Sequence, residues 1–186
     1  MKKSGVLTLE GEKKSGVNVL RDHRIILVYE EFLDGIAKEV TTNIVDLGFS
    51  DPTKSIRVFI NSPGGDMYSM ISVIDSMRLI KNPIETTCIG LAASAAGVLL
   101  ACGDPGKRFA TKNSRIMLHQ VSHEGFGHIK DLEIDVDEAK RLNEWMLDVL
   151  SVQTHQPISR LKKDLDRDKW FTADEAKKYG IIDYVV

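Results

Sequence analysis

Ser55-Ile56-Arg57-Val58-Phe59-Ile60 runs straight into Asn61-Ser62-Pro63-Gly64-Gly65-Asp66 and then into Met67–Ile80. The first six residues have the β-branched and aromatic character of a strand, and the next six make a turn that no regular element can cross. Met67–Ile80 carries its apolar residues along one helical face. Strand, glycine turn and helix form the building unit of an α/β fold, and the neighbouring segments repeat it. Upstream, Arg24–Tyr29 reads as a strand, and Phe32–Leu47 has helical spacing through Ile36, Val40, Ile44 and Leu47. Downstream, Ile84–Ile89 reads as a third strand, Gly90 as a break and Ala93–Ala101 as a short helix of small residues. Ile116–His119 is a fourth β-type run. A turn after each strand suits the building of a site at the strand ends.

The second half changes character. Apolar residues fall at 129, 132, 136, 139, 142, 145/146 and 149/150. This predicts one amphipathic helix over Ile129–Thr154, about 38 Å long at 1.5 Å per residue. Such a helix exceeds the radius of a domain this size and projects from it. An apolar stripe on a projecting helix predicts a second chain to cover it, hence an oligomer. After Pro157 a short helix is expected to about Leu165, then an Asp-rich turn over Asp164–Lys169. Thr172-Ala173-Asp174-Glu175 is a capping box opening a last helix, which Gly180 stops. Ile181–Val186 is expected to close the chain as a strand.

Composition narrows the function classes. With 186 residues the chain has room for one good core, so a single domain over 1–186 is expected. The formal net charge is −2 and no long Lys/Arg block occurs, which disfavours nucleic acid as a partner. Cys88 and Cys102 sit in apolar company without metal or redox spacing and read as buried free thiols. The most apolar window, Ile89–Cys102, runs about 14 residues where a membrane span needs roughly 20. Met1–Leu9 lacks the apolar length and cleavage site of a secretory signal. No membrane association and a cytoplasmic location are therefore expected.

Acyl transfer to a serine needs a hydroxyl on a strained or helix-initial turn and a neutral imidazole. It also needs a carboxylate to fix the imidazole tautomer and paired N–H donors. Ser94, in Gly90-Leu91-Ala92-Ala93-Ser94-Ala95-Ala96-Gly97, stands at a helix start among small residues that let a substrate backbone approach. The same pattern would serve a plain N-cap serine in a tightly packed helix. Gly64-Gly65 could turn N–H groups into a cleft, with Ala95 as the partner donor; alone it is also an ordinary turn. The candidate bases are His23, His119, His123, His128 and His155. His119 ends the apolar run Ile116-Met117-Leu118, where a lone polar residue calls for a partner. His123 and His128 have no third or fourth ligand in view, so no metal site is expected. Asp164, Asp166 and Asp168 are the candidate acids, and spacing does not choose among them.

Several segments together resemble the Clp protease proteolytic subunit. They are Ile60-Asn61-Ser62-Pro63-Gly64-Gly65, Gly90-Leu91-Ala92-Ala93-Ser94, Met117-Leu118-His119-Gln120, Asp166-Arg167-Asp168, Thr172-Ala173-Asp174-Glu175-Ala176 and Tyr179-Gly180-Ile181-Ile182-Asp183. The likeness covers the chain from about His23 to its end. It implies a crotonase-like α/β core with a protruding handle helix. It further implies two stacked heptameric rings that enclose the active sites and an AAA+ unfoldase that feeds them polypeptide. It assigns the nucleophile to Ser94, the base to His119, the acid to Asp168 and the oxyanion donors to the N–H groups of Gly65 and Ala95. No metal or nucleotide is implied in this chain, since ATP would be consumed by the unfoldase. Residues 121–129 correspond to a glycine-bearing strand along the peptide groove, and Ile129–Thr154 to the handle.

Three departures stand out. Residues 1–22 do not follow the family pattern in the region that forms the axial pore. Ala95 occupies a place where many relatives carry Met. The glycine-bearing segment reads His123-Glu124-Gly125-Phe126-Gly127-His128, with unusual bulk and two titratable rings. The rival readings are an acyl-CoA hydratase or isomerase on the same fold, a non-catalytic ring subunit, and a viral capsid-maturation protease. The filled triad positions and the Met-Leu-His-Gln segment favour the Clp type.

Overall fold

The computed structural model describes residues 5–7 and 13–186. The divergent N-terminal segment expected over 1–22 therefore lies partly outside the described residues. Within it, β1 (Gly5–Leu7) pairs antiparallel with β2 (Lys13–Ser15), and α1 (Gly16–Asp22) follows.

The body of the chain is the expected mixed α/β fold. It contains β3 (Ile25–Val28), α2 (Asp34–Ser50), β4 (Ile56–Ser62), α3 (Met67–Leu79), β5 (Ile84–Ala93) and α4 (Ala95–Ala101). Then come β6 (Arg108–Ala110), β7 (Arg115–Leu118), α5 (Ile129–Thr154), α6 (Ile158–Asp164), β8 (Lys169–Thr172), α7 (Ala173–Tyr179) and β9 (Tyr184–Val185). The main sheet runs β3-β4-β5-β6-β9 with parallel pairing. β7 joins the far end of β5, and β8 pairs antiparallel with β7. Strand β4 buries every second residue, Ile56, Val58, Ile60 and Ser62, as period-two geometry requires. Val40, Ile44 and Leu47 of α2 and Met70, Val73 and Ile74 of α3 complete that core.

Gly90 does not end the third strand, contrary to the sequence expectation. It takes φ 91° and bends β5. The register against β4 slips there, from Ile60↔Cys88 to Ser62↔Ala92. A Cβ on Gly90 would stand 2.9 Å from Asn61 Oδ1, the atom that accepts the Leu91 N–H at 3.1 Å. The bend lets one strand change neighbours, pairing β6 through Thr86–Cys88 and β7 through Leu91–Ala93. Two strands of the main sheet, β6 and β8, went unread because each is only three or four residues long. The closing strand is shorter than Ile181–Val186, because Ile181 and Ile182 are buried in the turn after α7.

Helix α5 has the bounds that its periodicity predicts. Its second half is anchored through Leu142, Met146, Leu147, Val149 and Leu150, while its first half leaves Ile129, Ile134 and Val136 exposed. The stripe is continuous, yet among the described residues only half of it finds a partner. Residues 121–128 make no strand pairing among the described residues, and their only backbone anchor given by a side chain is the Val121 N–H to Asn143 Oδ1, 3.1 Å. Backbone groups left open in this way are those a neighbouring strand would take up. Among the described residues no helix is long and apolar enough to cross a membrane.

Candidate active site

Ser94 sits between the last residue of β5 and the first of α4, with φ 54° and ψ −125°. A non-glycine residue at positive φ is costly and persists only where its surroundings hold it. Here the Ser94 N–H donates to Met117 O at 2.8 Å, and its carbonyl accepts from Gly97 N at 2.9 Å and Val98 N at 3.2 Å. The small neighbours have a steric reason. A Cβ on Gly97 would lie 2.8 Å from Leu118 Cδ2 and 2.8 Å from Met117 O, so α4 packs directly on β7. The plain N-cap alternative is excluded, since the Ser94 side chain caps no N–H of α4. Its hydroxyl instead meets His119 Nε2 at 2.8 Å.

The Gly64-Gly65 turn lies against this serine. Gly64 takes φ 98° and Gly65 φ 138°. A Cβ on Gly64 would stand 2.6 Å from Ala93 O and 2.7 Å from Ser94 Cβ, and one on Gly65 2.5 Å from Phe32 O. The turn is pinned by Phe32 N to Gly64 O at 2.7 Å and Asp66 N to Phe32 O at 2.8 Å. Asp66 then caps α3 by accepting from Ser69 N at 2.7 Å. Among the described residues neither the Gly65 N–H nor the Ala95 N–H donates a hydrogen bond. Two idle donors beside a hydroxyl that meets an imidazole nitrogen can receive a developing oxyanion.

His119 follows the last residue of β7, so the strand delivers it to the serine. The other four histidines do not reach Ser94. His155 is the left-handed residue after α5, His128 precedes α5 without capping it, and the His23 carbonyl accepts from Arg57 at the sheet edge. His123 Nε2 lies 3.9 Å from Asp135.

The three acids separate cleanly. Asp164 is a structural carboxylate, held by Tyr179 Oη at 2.8 Å and Lys169 Nζ at 2.9 Å. Burial raises its pKa, but hydrogen bonds from Lys169 and Tyr179 outweigh that and keep it below the usual range. Asp166 is exposed beside Arg167, and its carbonyl accepts from Gln120 Nε2 at 2.7 Å. Asp168 is exposed, and among the described residues no hydrogen bond joins it to His119. The strands nonetheless bring the two close. β7 and β8 pair Leu118 with Lys169, and the same register extended by one residue sets His119 opposite Asp168. Gln120 N, bonded to Leu165 O at 2.7 Å, ties the intervening turn to the chain beyond His119.

Ser94, His119, Gly65 and Ala95 open onto a cavity of about 360 Å³ walled by α3 and α5. Its residues Tyr68, Asp135, Glu138, Leu142 and Met146 were missed in the sequence. Asp135, Glu138, Leu142 and Met146 recur at three- and four-residue steps along α5, a signal that one helix face meets the site. Tyr68 Oη donates to Glu138, which also takes Arg141 Nε at 2.8 Å. Arg141 first and Tyr68 second hold the Glu138 carboxyl down at about 2. Among the described residues no group of three or more His, Cys, Asp or Glu side chains could hold a metal ion. Cys88 and Cys102 are free thiols, pushed up by burial to about 11 and about 12.

Comparison with known proteins agrees with this geometry. A family model described as Clp protease matches residues 10–186. The chain is 43% identical over 167 residues to the ATP-dependent Clp protease proteolytic subunit 2 of Frankia casuarinae, which spans 90% of this chain and 77% of that protein. It is 42% identical over 179 residues to the proteolytic subunit 2 of Mycobacterium leprae, 95% of this chain and 84% of that one. Against the proteolytic subunit 1 of Mycolicibacterium paratuberculosis it is 42% identical over 171 residues, 91% and 81% of the two chains.

Proposed function

The chain belongs to the Clp protease family and is a Clp-type peptidase, and from that premise we propose that Ser94, His119 and Asp168 are its catalytic triad. Gly65 N–H and Ala95 N–H serve as the oxyanion donors. The observation that carries this reading is the 2.8 Å approach of His119 Nε2 to Ser94 Oγ on a strained backbone.

Ser94 Oγ attacks a peptide carbonyl while His119 Nε2 takes its proton, and the carbonyl oxygen becomes an anion bound by the two N–H groups. His119 then gives the proton to the leaving amine, and the ester remains on Ser94. Water, deprotonated by His119, attacks the ester, and Ser94 recovers its proton as the acid product leaves. Asp168 holds the imidazole in the tautomer that leaves Nε2 free to accept. The relatives bear ATP dependence in their names. We extend it to this chain as a division of labour, in which a partner AAA+ unfoldase spends ATP and delivers unfolded polypeptide. The peptidase itself needs neither nucleotide nor metal. The exposed half of α5 and the unpaired segment 121–128 support assembly into two stacked heptameric rings.

The open arm between His119 and Asp168 favours a second reading, a ring subunit silent by itself and completed by an active relative. Labelling assembled protein with a fluorophosphonate, followed by peptide mass spectrometry, separates the two. One adduct on Ser94, absent from Ser94→Ala, is expected. An assembled protein that takes up no probe would favour the silent subunit.

A further inference from the structure

Resting on the peptidase reading above, we infer that the cavity beside Ser94 selects a basic side chain, lysine or arginine, next to the scissile bond, and that Asp135 is the residue that sets this preference. The wall contributed by α5 has two chemistries. Leu142 and Met146 are buried and apolar, which suits the methylene stem of a long side chain. One and two turns toward the helix N-terminus, Glu138 and Asp135 add carboxylates to the same wall. Among the described residues that line the cavity there is no lysine or arginine, and the cation that reaches its carboxylates from outside the lining is Arg141, on Glu138.

The carboxylates are not equivalent. Glu138 is already bonded to Arg141 and Tyr68, and Asp66 is spent as the cap of α3. Among the described residues Asp135 has one ion-pair neighbour, His123 Nε2 at 3.9 Å, and its side chain is 49% exposed. It is thus the carboxylate in the cavity free to meet an incoming cation. Lysine and arginine lay apolar stems along such a wall while their charged heads stay near water, which matches a dry floor with a half-exposed carboxylate at its rim. The cavity, about 360 Å³, falls within the range of about 300–1,000 Å³ of small-ligand sites and so has room for one such side chain.

The test uses assembled full-length protein and fluorogenic peptides that differ only at the residue preceding the scissile bond: lysine, norleucine or glutamate. Norleucine keeps the stem and removes the charge. Wild type is expected to cleave the lysine peptide about five-fold faster than the norleucine peptide in kcat/KM, the ratio narrowing at high salt. Asp135→Asn should bring the ratio toward one, and Asp135→Lys should place the glutamate peptide above the lysine peptide. Each comparison is made within one protein, so partial loss of fold or assembly cancels. Norleucine cleaved as fast as lysine by wild type, or a ratio indifferent to both substitutions, would overturn the inference and leave the peptidase reading standing. No turnover of any peptide by assembled wild type would overturn both.

Discussion

At Ser94 a polar residue is forced into φ 54° and keeps its hydroxyl for His119 rather than for a helix cap. Ser94→Ala should lower turnover by about 10⁴-fold or more while leaving the thermal midpoint nearly unchanged, since no packing rests on that hydroxyl. Gly64→Ala should damage both. Its Cβ would collide with Ala93 O and Ser94 Cβ at a φ of 98°, so turnover should vanish and the melting temperature drop. The two candidate acids part in opposite ways. Asp168→Asn should cost on the order of 10³–10⁴ in kcat with little change in stability, because the side chain is exposed and makes no hydrogen bond among the described residues. Asp164→Asn should do the reverse, loosening Lys169, Tyr179 and Arg160 while sparing the chemistry. A kinetic and a denaturation series on these two variants would expose an exchange of roles.

Helix α7 shows sequence and structure agreeing at the level of an element. Thr172 Oγ1 accepts from Glu175 N at 3.3 Å, and Glu175 accepts from Thr172 N at 2.8 Å, the reciprocal pair that its capping box foretold. Thr172→Ala should cost about 1 kcal/mol in urea denaturation. Helix α5 makes the contrasting case, because its apolar residues have two fates. Leu150, fully buried, should lose about 2–5 kcal/mol on change to alanine. Ile134, 67% exposed, should lose almost nothing within a subunit. Ile129→Asp with Ile134→Asp should instead lower the assembled mass in analytical ultracentrifugation. An unchanged mass would mean that the exposed half of α5 is not an interface.

For the whole molecule, Arg108 is the clamp that closes the fold. Buried to 6% exposure, it binds Asp183 through Nε at 3.0 Å and Nη2 at 2.6 Å, and donates to Gln153 O and Gly180 O. It thereby joins β6 to the end of α5, the end of α7 and the approach to β9. Asp183→Asn should cost about 3–5 kcal/mol, because the guanidinium is left buried without its counter-charge. Burial raises the Asp183 pKa, and the bonds from Arg108 outweigh it and hold the group below the ordinary 3.8. Asp164 is held down likewise. Both groups bind a proton less readily folded than unfolded. Their contribution is therefore fully present above the unfolded value near 3.8 and lost as pH falls through the folded values. Urea midpoints should hold between pH 6 and pH 5 and decline below about pH 4, with a shallower decline in Asp183→Asn.

Local periodicity and turn chemistry were enough for the strand-turn-helix units around Gly64-Gly65, for α5 to its ends and for the capping box of α7, because each depends on residues a few positions apart. Ser94 and His119 could be nominated from their segments, and the family likeness paired them with Asp168. Their meeting at 2.8 Å was decided by β5 bending at Gly90 to take β7 as its neighbour. Strands β6 and β8 had no legible signal, since three or four residues carry too little pattern to stand out from a loop. Asp164 and Asp168 look alike in sequence, and only the packing of Lys169 and Tyr179 made one structural and left the other free. Spacing sets Asp135, Glu138, Leu142 and Met146 on one face of α5, but that this face lies across a gap from α3 was hidden, because no local spacing records it. Local interactions follow from the order of residues alone; sites assembled across distant segments wait for the chain to close on itself.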